Sequence, residues 1–399
     1  MRVALYAGAF KANQDGATRS LYQLVRSLQA DGMEVGVWSY DRTPTSGAGW
    51  VAHFTVPSLP LPLYPAYRIS LPVRETLRQL DRFRPDLFHI AVADMAGRAF
   101  LRYALEHRLP AIATYHTDFA SYLKYFRLAF LTGPSQRSLA AFFNRCRWVY
   151  VPTPSAACDL ESWGVQNVRL WSRGVDHDQF HPGRRRRSLR RAWRARGKKV
   201  ILFAGRFVSY KNLEAVEAVY ARFDSRLPER ARFVMLGDGP WLKRLQRTMP
   251  QAVFPGYLHG RELAETFASA DLLLFPSATE TFGNVVLEAL ASGVPAVVSN
   301  RGGCADIVRE SAAGIACPTD DHEAFFQACR RLCEHPLLHA RMRRLGLAYA
   351  SGRRWPAINQ RIINDFRMIA AYGHPTARRP ASLPLGEMGC GPRPQQDSI

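Results

Sequence analysis

Short apolar runs alternate along the chain with longer segments in which apolar residues recur every three or four positions. The apolar runs of the first half predict strands at residues 3–6, 35–39, 87–91, 111–114 and 149–152. Residues 20–30 predict a helix, because Leu21, Leu24, Val25 and Leu28 fall on one face. Strands that alternate with helices in this way are typical of a parallel sheet covered by helices.

A second series of the same kind begins near residue 200. Its predicted strands are residues 200–204, 232–236, 253–256, 272–275 and 296–299. Two such series predict an α/β protein with two Rossmann-like, doubly wound parallel-sheet domains, each with its ligand at the carboxyl ends of the strands. We assign residues 1–174 to the N-terminal domain and residues 175–354 to the C-terminal domain.

The chain beyond residue 354 predicts two further segments. Residues 355–372 predict a closing helix that packs back on the N-terminal domain. Residues 373–399 are rich in Pro, Gly and Ser without apolar periodicity, so we expect a disordered tail.

Composition narrows the class of protein. Hydrophobic residues make up 47% of the 399 positions, enough for two cores. The first residues predict a strand and not a signal peptide, and no apolar run approaches the roughly 18 residues of a transmembrane helix. The seven cysteines show no C-x-x-C spacing, so we expect reduced thiols in a cytoplasmic protein.

Charge is the unusual property of this chain. There are 54 basic and 33 acidic residues, a formal net charge of +21. The stretch from Arg184 to Lys199, here called the arginine block, contains ten basic residues and no acid. Such a block favours an anionic partner, whether a membrane surface, a nucleic acid or a phosphorylated substrate, or it is simply a solvated basic segment. The sequence leaves both interpretations open.

The most specific motif lies in residues 277–295, where a loop follows an apolar strand and opens a helix. Gly283 and Asn284 fall at the N-terminus of that helix, where free N–H groups and the helix dipole favour a phosphate. Glu280 precedes the helix and Glu288 lies just over one turn inside it. The two carboxylates can therefore face one cleft and bind two hydroxyl-bearing parts of a ligand. The alternative is a capping acid and a solvated helix residue.

Two cations follow the first strand of the second domain, in residues 203–212. Arg206 and Lys211 should lie over the strand ends, close to the helix that begins near Gly283. Two fixed cations there can neutralise a diphosphate leaving group without a divalent metal, so we expect no metal site and no cofactor. The alternative is a pair of ordinary surface cations in a basic protein.

Taken together, these motifs resemble glycosyltransferase family 4. The resemblance rests on the E-x7-E pair at positions 280 and 288 and on Gly205-Arg206 and Lys211-Asn212. It also rests on residues 173–176 (Arg-Gly-Val-Asp), 237–240 (Gly-Asp-Gly-Pro) and 256–258 (Gly-Tyr-Leu), and it extends over roughly residues 1–370. In the first half, residues 60–65, 67–68 and 115–119 are similar to a branch of lipid-directed mannosyl- and sulfoquinovosyltransferases.

The resemblance implies the GT-B fold and the retaining transfer of a hexose, of mannose or glucose type, from a GDP- or UDP-sugar to an acceptor hydroxyl. It implies that Arg206 and Lys211 hold the diphosphate, that Glu288 binds the ribose hydroxyls, and that Glu280 contacts hydroxyls of the donor sugar. A GT-B sugar-nucleotide epimerase remains an alternative.

The same resemblance implies the remaining site residues. The backbone from Phe282 through Gly283 and Asn284 to Val285 would touch phosphate and sugar, and His116 would reach the donor sugar from the N-terminal domain. A histidine at the end of the predicted strand at residues 111–114 is also well placed for a site residue on position alone, although a structural histidine is possible. Family members often have two successive glycines where this chain has Asp15-Gly16, and Gly16 still permits a close backbone approach to diphosphate or acceptor.

The acceptor is expected to be a lipid or glycan. A lipid is favoured by the branch resemblance, by the arginine block and by the aromatic-basic run at residues 122–127. We therefore expect a cytoplasmic protein that associates peripherally with an anionic membrane surface, on its inner face. A basic nucleic-acid-binding protein is a further alternative, but no helix-turn-helix, zinc-finger or RNP-like motif supports it, so no nucleic-acid partner is expected.

Overall fold

Two parallel sheets form the frame of the molecule. The computed structural model describes residues 1–11, 16–41, 51–61, 64–118 and 129–372. The first sheet has seven strands in the order β3-β2-β1-β6-β7-β8-β9, and β4 and β5 pair separately as an antiparallel hairpin. The strands are β1 (Arg2–Gly8), β2 (Glu34–Ser39), β3 (Ala52–Thr55), β4 (Ser58–Leu61), β5 (Tyr64–Ser70), β6 (Leu87–Ile90), β7 (Ala111–Thr114), β8 (Val149–Val151) and β9 (Val168–Leu170).

Helices cover both faces of this sheet. They are α1 (Gly16–Ala30), α2 (Arg74–Phe83), α3 (Met95–Glu106), α4 (Thr132–Phe143) and α5 (Pro154–Ser162). Local sequence explains where several begin. Asp94 caps α3 by accepting from the Gly97 N–H at 2.9 Å, and Thr153 caps α5, which has Pro154 in its first turn.

The second sheet has six strands in the order β12-β11-β10-β13-β14-β15, all parallel. The strands are β10 (Lys199–Ala204), β11 (Ala231–Leu236), β12 (Val253–Gly256), β13 (Leu272–Phe275), β14 (Ala296–Ser299) and β15 (Gly314–Cys317). The helices are α6 (Arg187–Ala192), α7 (Leu213–Arg226), α8 (Leu242–Thr248), α9 (Gly260–Ser269), α10 (Asn284–Ala291), α11 (Gly302–Ser311), α12 (His322–Glu334), α13 (Pro336–Ser351) and α14 (Trp355–Tyr372). In each sheet the strand order reverses beside the strand that begins the domain, which is β1 in the first sheet and β10 in the second. This reversal places a crevice at the carboxyl ends of the strands.

The last helix belongs to the N-terminal domain, although it follows the C-terminal one. Ile362, Ile363 and Phe366 of α14 are buried in one core with Val3 and Leu5 of β1. A buried amide ties the helix to α1, since Asn359 donates to the Gln23 carbonyl and the Ser27 hydroxyl at 3.1 and 2.9 Å. The chain therefore crosses between the domains twice.

The two crossing segments lie side by side. The Val175 N–H donates to the Arg353 carbonyl at 2.9 Å, and the Arg353 guanidinium donates to the Ser172 hydroxyl at 2.7 Å. A Cβ at Gly174 would lie 2.8 Å from the backbone nitrogen of Trp355, so only glycine fits this approach. The two crossings therefore form one packed connection between the domains.

The predicted fold class and the predicted strands are confirmed, but several strands were missed. These are β3, β9, β15 and the β4–β5 hairpin. β3 and β9 are the edges of the first sheet and β15 is an edge of the second. Their side chains are largely half-buried, so they lack the continuous apolar run of a central parallel strand.

Some sequence expectations fall outside the described residues. They are the tail at residues 373–399, the aromatic-basic run at residues 122–127, Asp15, Phe119 and part of the Pro-rich stretch at residues 60–65. Among the described helices, none has the length and apolar character that crossing a membrane requires.

The arginine block packs along α9 and β13. Arg185 and Arg190 both pair with Asp271, at 2.8 and 2.7 Å, and Arg186 pairs with Glu265 at 2.9 Å. Burial raises the pKa of Asp271, but the Val200 N–H and the two guanidinium groups more than offset it, so this pKa lies below its ordinary value. Part of the arginine block therefore has a structural role, since its ion pairs hold it against α9 and the start of β13.

Candidate active site

The loop between β13 and α10, residues 276–283, lies at the carboxyl edge of the second sheet. Gly283 closes it with φ +101°, a left-handed conformation that favours glycine, and a Cβ there would overlap the Cys304 thiol. Helix α10 then begins at Asn284, as predicted, so its first N–H groups face the loop. Glu280 stands in the loop, and Glu288 is the fifth residue of the helix.

A pair of glycines at the start of α11 supports this loop. The Gly303 N–H donates to the Glu280 carbonyl at 2.7 Å. Gly302 has φ +72°, and a Cβ on it would lie 2.9 Å from the carbonyl oxygens of both Ala278 and Glu280. The Gly-Gly pair that follows Arg301 was visible in the sequence, but its role depends on contacts that only the fold reveals.

Lys211 and Glu280 form an ion pair beneath the loop. Their side chains are only 14% and 21% exposed, and the Ser277 hydroxyl donates to the same carboxylate at 3.0 Å. The Lys211 ammonium also lies 5.5 Å from the ring of Phe275, at the end of β13. The structure thus brings together the residue expected to hold a diphosphate and the residue expected to hold sugar hydroxyls.

Arg206 reaches the opposite wall of the cleft. It is exposed, and it lines a cavity of about 240 Å³ whose other walls, including His116 and Thr117, come from the N-terminal domain. Arg206 thus lines the interdomain cavity, and its role in holding a diphosphate stays a prediction.

Glu288 pairs across the cleft with Arg19 of α1. The carboxylate is 8% exposed and the guanidinium 34%. Burial raises the pKa of Glu288, and the charge and hydrogen bond of Arg19 oppose that rise. Sequence analysis assigned no role to Arg19, and nothing in the local pattern indicated its partner.

Gly16 also meets the second domain. A Cβ at this position would overlap the side-chain amide of Asn284, so the absent side chain allows the N-terminus of α1 to touch that of α10. The approach to diphosphate or acceptor expected at Gly16 stays a prediction; in the described residues this glycine lies against Asn284 of the facing domain.

Two threonines hold the loop at residues 276–283, here called the donor loop, against the N-terminal domain. The Thr281 hydroxyl donates to the His116 carbonyl at 2.6 Å, and the Thr153 hydroxyl donates to the Thr281 carbonyl at 2.9 Å. The next residue, Phe282, is buried in the C-terminal core, and Val285 packs partly against that core. These side chains anchor the backbone that the sequence analysis expected to touch phosphate and sugar.

His116 lies at the end of β7, facing the cavity. Its Nδ1 is 2.8 Å from a guanidinium nitrogen of Arg173, and its ring meets that of Trp171 edge to face. Burial, and then the charges of Arg173 and His89, hold the pKa of His116 well below its ordinary value. The ring is therefore neutral near pH 7.

The N-terminal wall of the cavity contains two polar residues that sequence analysis missed. Asp94 accepts from the Tyr6 hydroxyl, the Ser70 N–H at 3.1 Å and the Gly97 N–H, and burial raises its pKa against these bonds. Arg68 donates to both the hydroxyl and the carbonyl of Ser58 at 2.8 Å. The rest of this wall is mostly apolar, as formed by Ala7, Ala9, Leu21, Val92, Leu139 and Phe143.

Over the part of the chain that the structure describes, no three His, Cys, Asp or Glu side chains are grouped so that they could hold a metal ion. The cationic groups at this edge of the second sheet include Arg206, Lys211 and the N-terminus of α10.

Comparison with known proteins was made by sequence and by structure. The family model described as Glycosyltransferase Family 4 matches residues 14–179, and the model described as Glycosyl transferases group 1 matches residues 198–335. A GDP-mannose-dependent alpha-mannosyltransferase of Corynebacterium glutamicum is 31% identical over 377 residues, which cover 93% of this chain and 90% of the relative.

Two further matches bear on the acceptor and the fold. A GDP-mannose-dependent alpha-(1-6)-phosphatidylinositol dimannoside mannosyltransferase of Mycobacterium tuberculosis is 31% identical over 302 residues, 73% of this chain and 76% of the relative. The solved sucrose-phosphate synthase of Thermosynechococcus elongatus superposes with a TM-score of 0.77 at 19% identity, over 93% of this chain and 99% of that one.

Proposed function

This chain belongs to glycosyltransferase family 4 and is a hexosyltransferase of the GT-B fold, and from that premise we propose that it transfers mannose from GDP-mannose to a hydroxyl of a lipid or glycolipid, with retention at the anomeric carbon. The observation that carries the proposal is the Lys211–Glu280 pair beside the N-terminus of α10, facing His116 across the cleft. The relatives that use GDP-mannose favour that donor.

In this proposal the cations bind the diphosphate of the donor and the acids bind its hydroxyl groups. The arriving diphosphate, with two negative charges or more, competes with Glu280 for Lys211 and recruits Arg206 and the N–H groups of α10. Glu280, once released, accepts hydrogen bonds from sugar hydroxyls, and Glu288 accepts them from the ribose in place of Arg19. The cations then act mainly on the departing diphosphate, where negative charge develops, and this set of groups needs no metal.

Retention is proposed from the family resemblance, and the described carboxylates that line the cleft bear only on how it would be achieved. Glu280 is ion-paired and Asp94 accepts from three separate donors, so neither is poised to attack the anomeric carbon. A same-face substitution, in which the leaving phosphate takes the acceptor proton, fits this arrangement better than a covalent intermediate.

The acceptor pocket supports a partly apolar substrate. Its apolar wall and the polar groups of Asp94 and Arg68 suit a molecule with a hydroxylated head and a less polar remainder. The acceptor of the mycobacterial relative is a phosphatidylinositol dimannoside, which agrees with this class.

The proposal is tested with the whole chain and a panel of GDP- and UDP-sugars. GDP-mannose should bind most tightly and should transfer to a lipid acceptor in the presence of EDTA, and NMR of the product should show an α-anomeric linkage. A preference for UDP-sugars would overturn the donor assignment, and a β-linkage would overturn retention. Conversion of the donor sugar without an acceptor would identify an epimerase instead.

We also propose peripheral binding to an anionic membrane. In the arginine block, Arg185, Arg186, Arg190 and Lys198 form ion pairs, whereas Arg187, Arg191, Arg194 and Arg196 are exposed. Cations near an anionic leaflet contribute about 1 kcal/mol each, so these four are enough for reversible binding.

Cosedimentation with phosphatidylglycerol vesicles at low salt tests this hypothesis. Changing the four exposed arginines of the block to glutamine should abolish binding, and the same change at the exposed Arg74, Arg78, Arg82 and Arg102 is the matched control. Loss of binding only in the control set would move the membrane surface to α2 and α3. No binding by the unmodified chain would contradict the hypothesis.

A further inference from the structure

A buried arginine contacts the candidate histidine at the domain crossing. Arg173 is 3% exposed and begins the segment that leads from the first domain into the second. Its guanidinium donates to the Trp171 carbonyl at 3.0 Å and to His116 Nδ1 at 2.8 Å, and it lies 4.6 Å from the Trp171 ring centre. No acid pairs with it among the described residues, and burial lowers the pKa of Arg173 to about 9.

The chemistry of this contact fixes the protonation of the imidazole. A guanidinium can only donate, so the Nδ1 that meets it must present a lone pair. The proton of the neutral ring then sits on Nε2. In the described structure Nε2 is buried and has no hydrogen-bond partner, although His116 lines the cavity at the interdomain cleft.

We infer that Arg173 is a positioning residue, which holds His116 as the Nε2–H tautomer so that it serves the reaction as an uncharged hydrogen-bond donor. The inference rests on the proposed function for the ligand that receives this hydrogen bond, a hydroxyl of the donor sugar. A neutral donor suits that position, because an imidazolium would repel the positive charge that develops on the sugar ring as the diphosphate leaves.

The other groups around the ring agree with this assignment. His89 is buried, contacts the Thr114 hydroxyl and is held neutral, with its pKa lowered to about 3 by burial and by Arg173. Trp171 contributes only an aromatic edge, and the donor loop contacts the His116 carbonyl, not the ring. Arg173 is therefore the group that selects the tautomer.

The geometry also ties the tautomer to the domain crossing. Arg173 immediately precedes Gly174, which packs on Trp355, and Val175 bonds to Arg353 of the return crossing. Arg173 therefore lies in the segment that joins the two domains, beside the return crossing.

The first test uses the unmodified, ligand-free chain. Long-range proton–nitrogen NMR of 15N-histidine-labelled protein, assigned with His116→Gln, should show one neutral Nε2–H tautomer through the range where free histidine titrates. An Nδ1–H tautomer, or ordinary titration of His116, would overturn the inference. This measurement needs no donor, so it stands even if the proposed function fails.

The second test uses variants of Arg173. Arg173→Met should give a tautomer mixture at His116 and lower kcat roughly 10-fold to 10²-fold, with a smaller change in KM. Arg173→Lys keeps a donor and should recover most of kcat. In the His116→Gln background, where a side-chain amide supplies the N–H, Arg173→Met should change kcat less than about twofold.

The matched control is Arg169→Met, which removes an arginine that stacks on Trp148 and pairs with Asp365. It should affect stability without changing the tautomer. Equal kcat losses for Arg173→Met in the two His116 backgrounds would mean that Arg173 is merely structural. If Arg173→Met does not fold, Arg173→Lys and the NMR of the unmodified chain still decide the question.

Discussion

The two walls of the cleft are built on different principles. The C-terminal wall is charged, and its charges are paired at short range, with Lys211 joined to Glu280 under the loop that opens α10. The N-terminal wall is mostly apolar. Its polar groups are the neutral ring of His116, the Asp94 carboxylate, which accepts hydrogen bonds from three donors, and Arg68 of the β4–β5 hairpin. Under the proposed function, the charged wall would bind the departing diphosphate, and the mostly apolar wall would shape the space in which the sugar and acceptor meet.

One ion pair joins the two walls directly. Arg19 from α1 reaches Glu288 in α10, which is the residue expected to bind the ribose. Ligand binding would thus exchange contacts within the protein for contacts with the donor at both acids.

The largest effect is expected from the charged wall. Lys211→Ala should lower kcat by roughly 10²–10³-fold, because it removes a preorganised cation from developing negative charge. Steady-state kinetics with saturating donor measure this. Arg244→Ala, which breaks an exposed pair with Glu217 in the same domain, should leave kcat unchanged. A rise in KM alone would show that Lys211 only binds the ground state.

An intermediate effect is expected at Glu288. Glu288→Ala should weaken binding of free GDP by about 10-fold to 10²-fold, the range for hydrogen bonds to a charged group. Because burial raises the pKa of this carboxyl, the acceptor is lost at a higher pH than for an ordinary glutamate. GDP affinity of the unmodified chain should therefore fall as pH drops through that raised pKa, and calorimetry across pH measures it.

Glu323→Ala is the control for this measurement, since Glu323 pairs with Arg222 away from the cleft. Its GDP affinity and pH dependence should match the unmodified chain. Unchanged GDP affinity in Glu288→Ala would remove Glu288 from the donor site.

The smallest effect is expected from the pair that joins the walls. Arg19→Ala frees Glu288 for the ribose, so GDP affinity should rise by up to about fivefold at pH well above the raised pKa, in keeping with the modest value of a partly exposed pair. Titration calorimetry measures this shift. A marked loss of affinity would instead show that Arg19 itself contacts the nucleotide.

The sequence predicted what is encoded locally. Central strands such as β13 are continuous apolar runs, and the loop that carries Glu280 and opens α10 is one contiguous motif, so both were found. Edge strands such as β15 are half-buried and lack that signal. The placement of the site residues, and not their chemistry, is what the structure adds to that prediction.

Contacts between residues far apart in the sequence could not be predicted from the local pattern. Arg19 and Glu288 are separated by 269 positions, and Arg173 and His116 by 57. The arginine block contains no acid of its own. Two of its arginines nevertheless pair with Asp271, which immediately precedes β13. Such pairings depend on which strand ends become neighbours, and that is decided by the whole topology.

The position of α14 has a consequence for synthesis of the chain. Ile362, Ile363, Phe366 and Ile369 complete a core whose other members all come from the N-terminal domain, from β1 and α1 to Trp171. A ribosome delivers these four side chains last, so the nascent first domain exposes an apolar strip throughout translation of the second. A fragment ending before Trp355 would keep that strip exposed, and expression of the separate halves should therefore yield a soluble C-terminal piece and an aggregating N-terminal one.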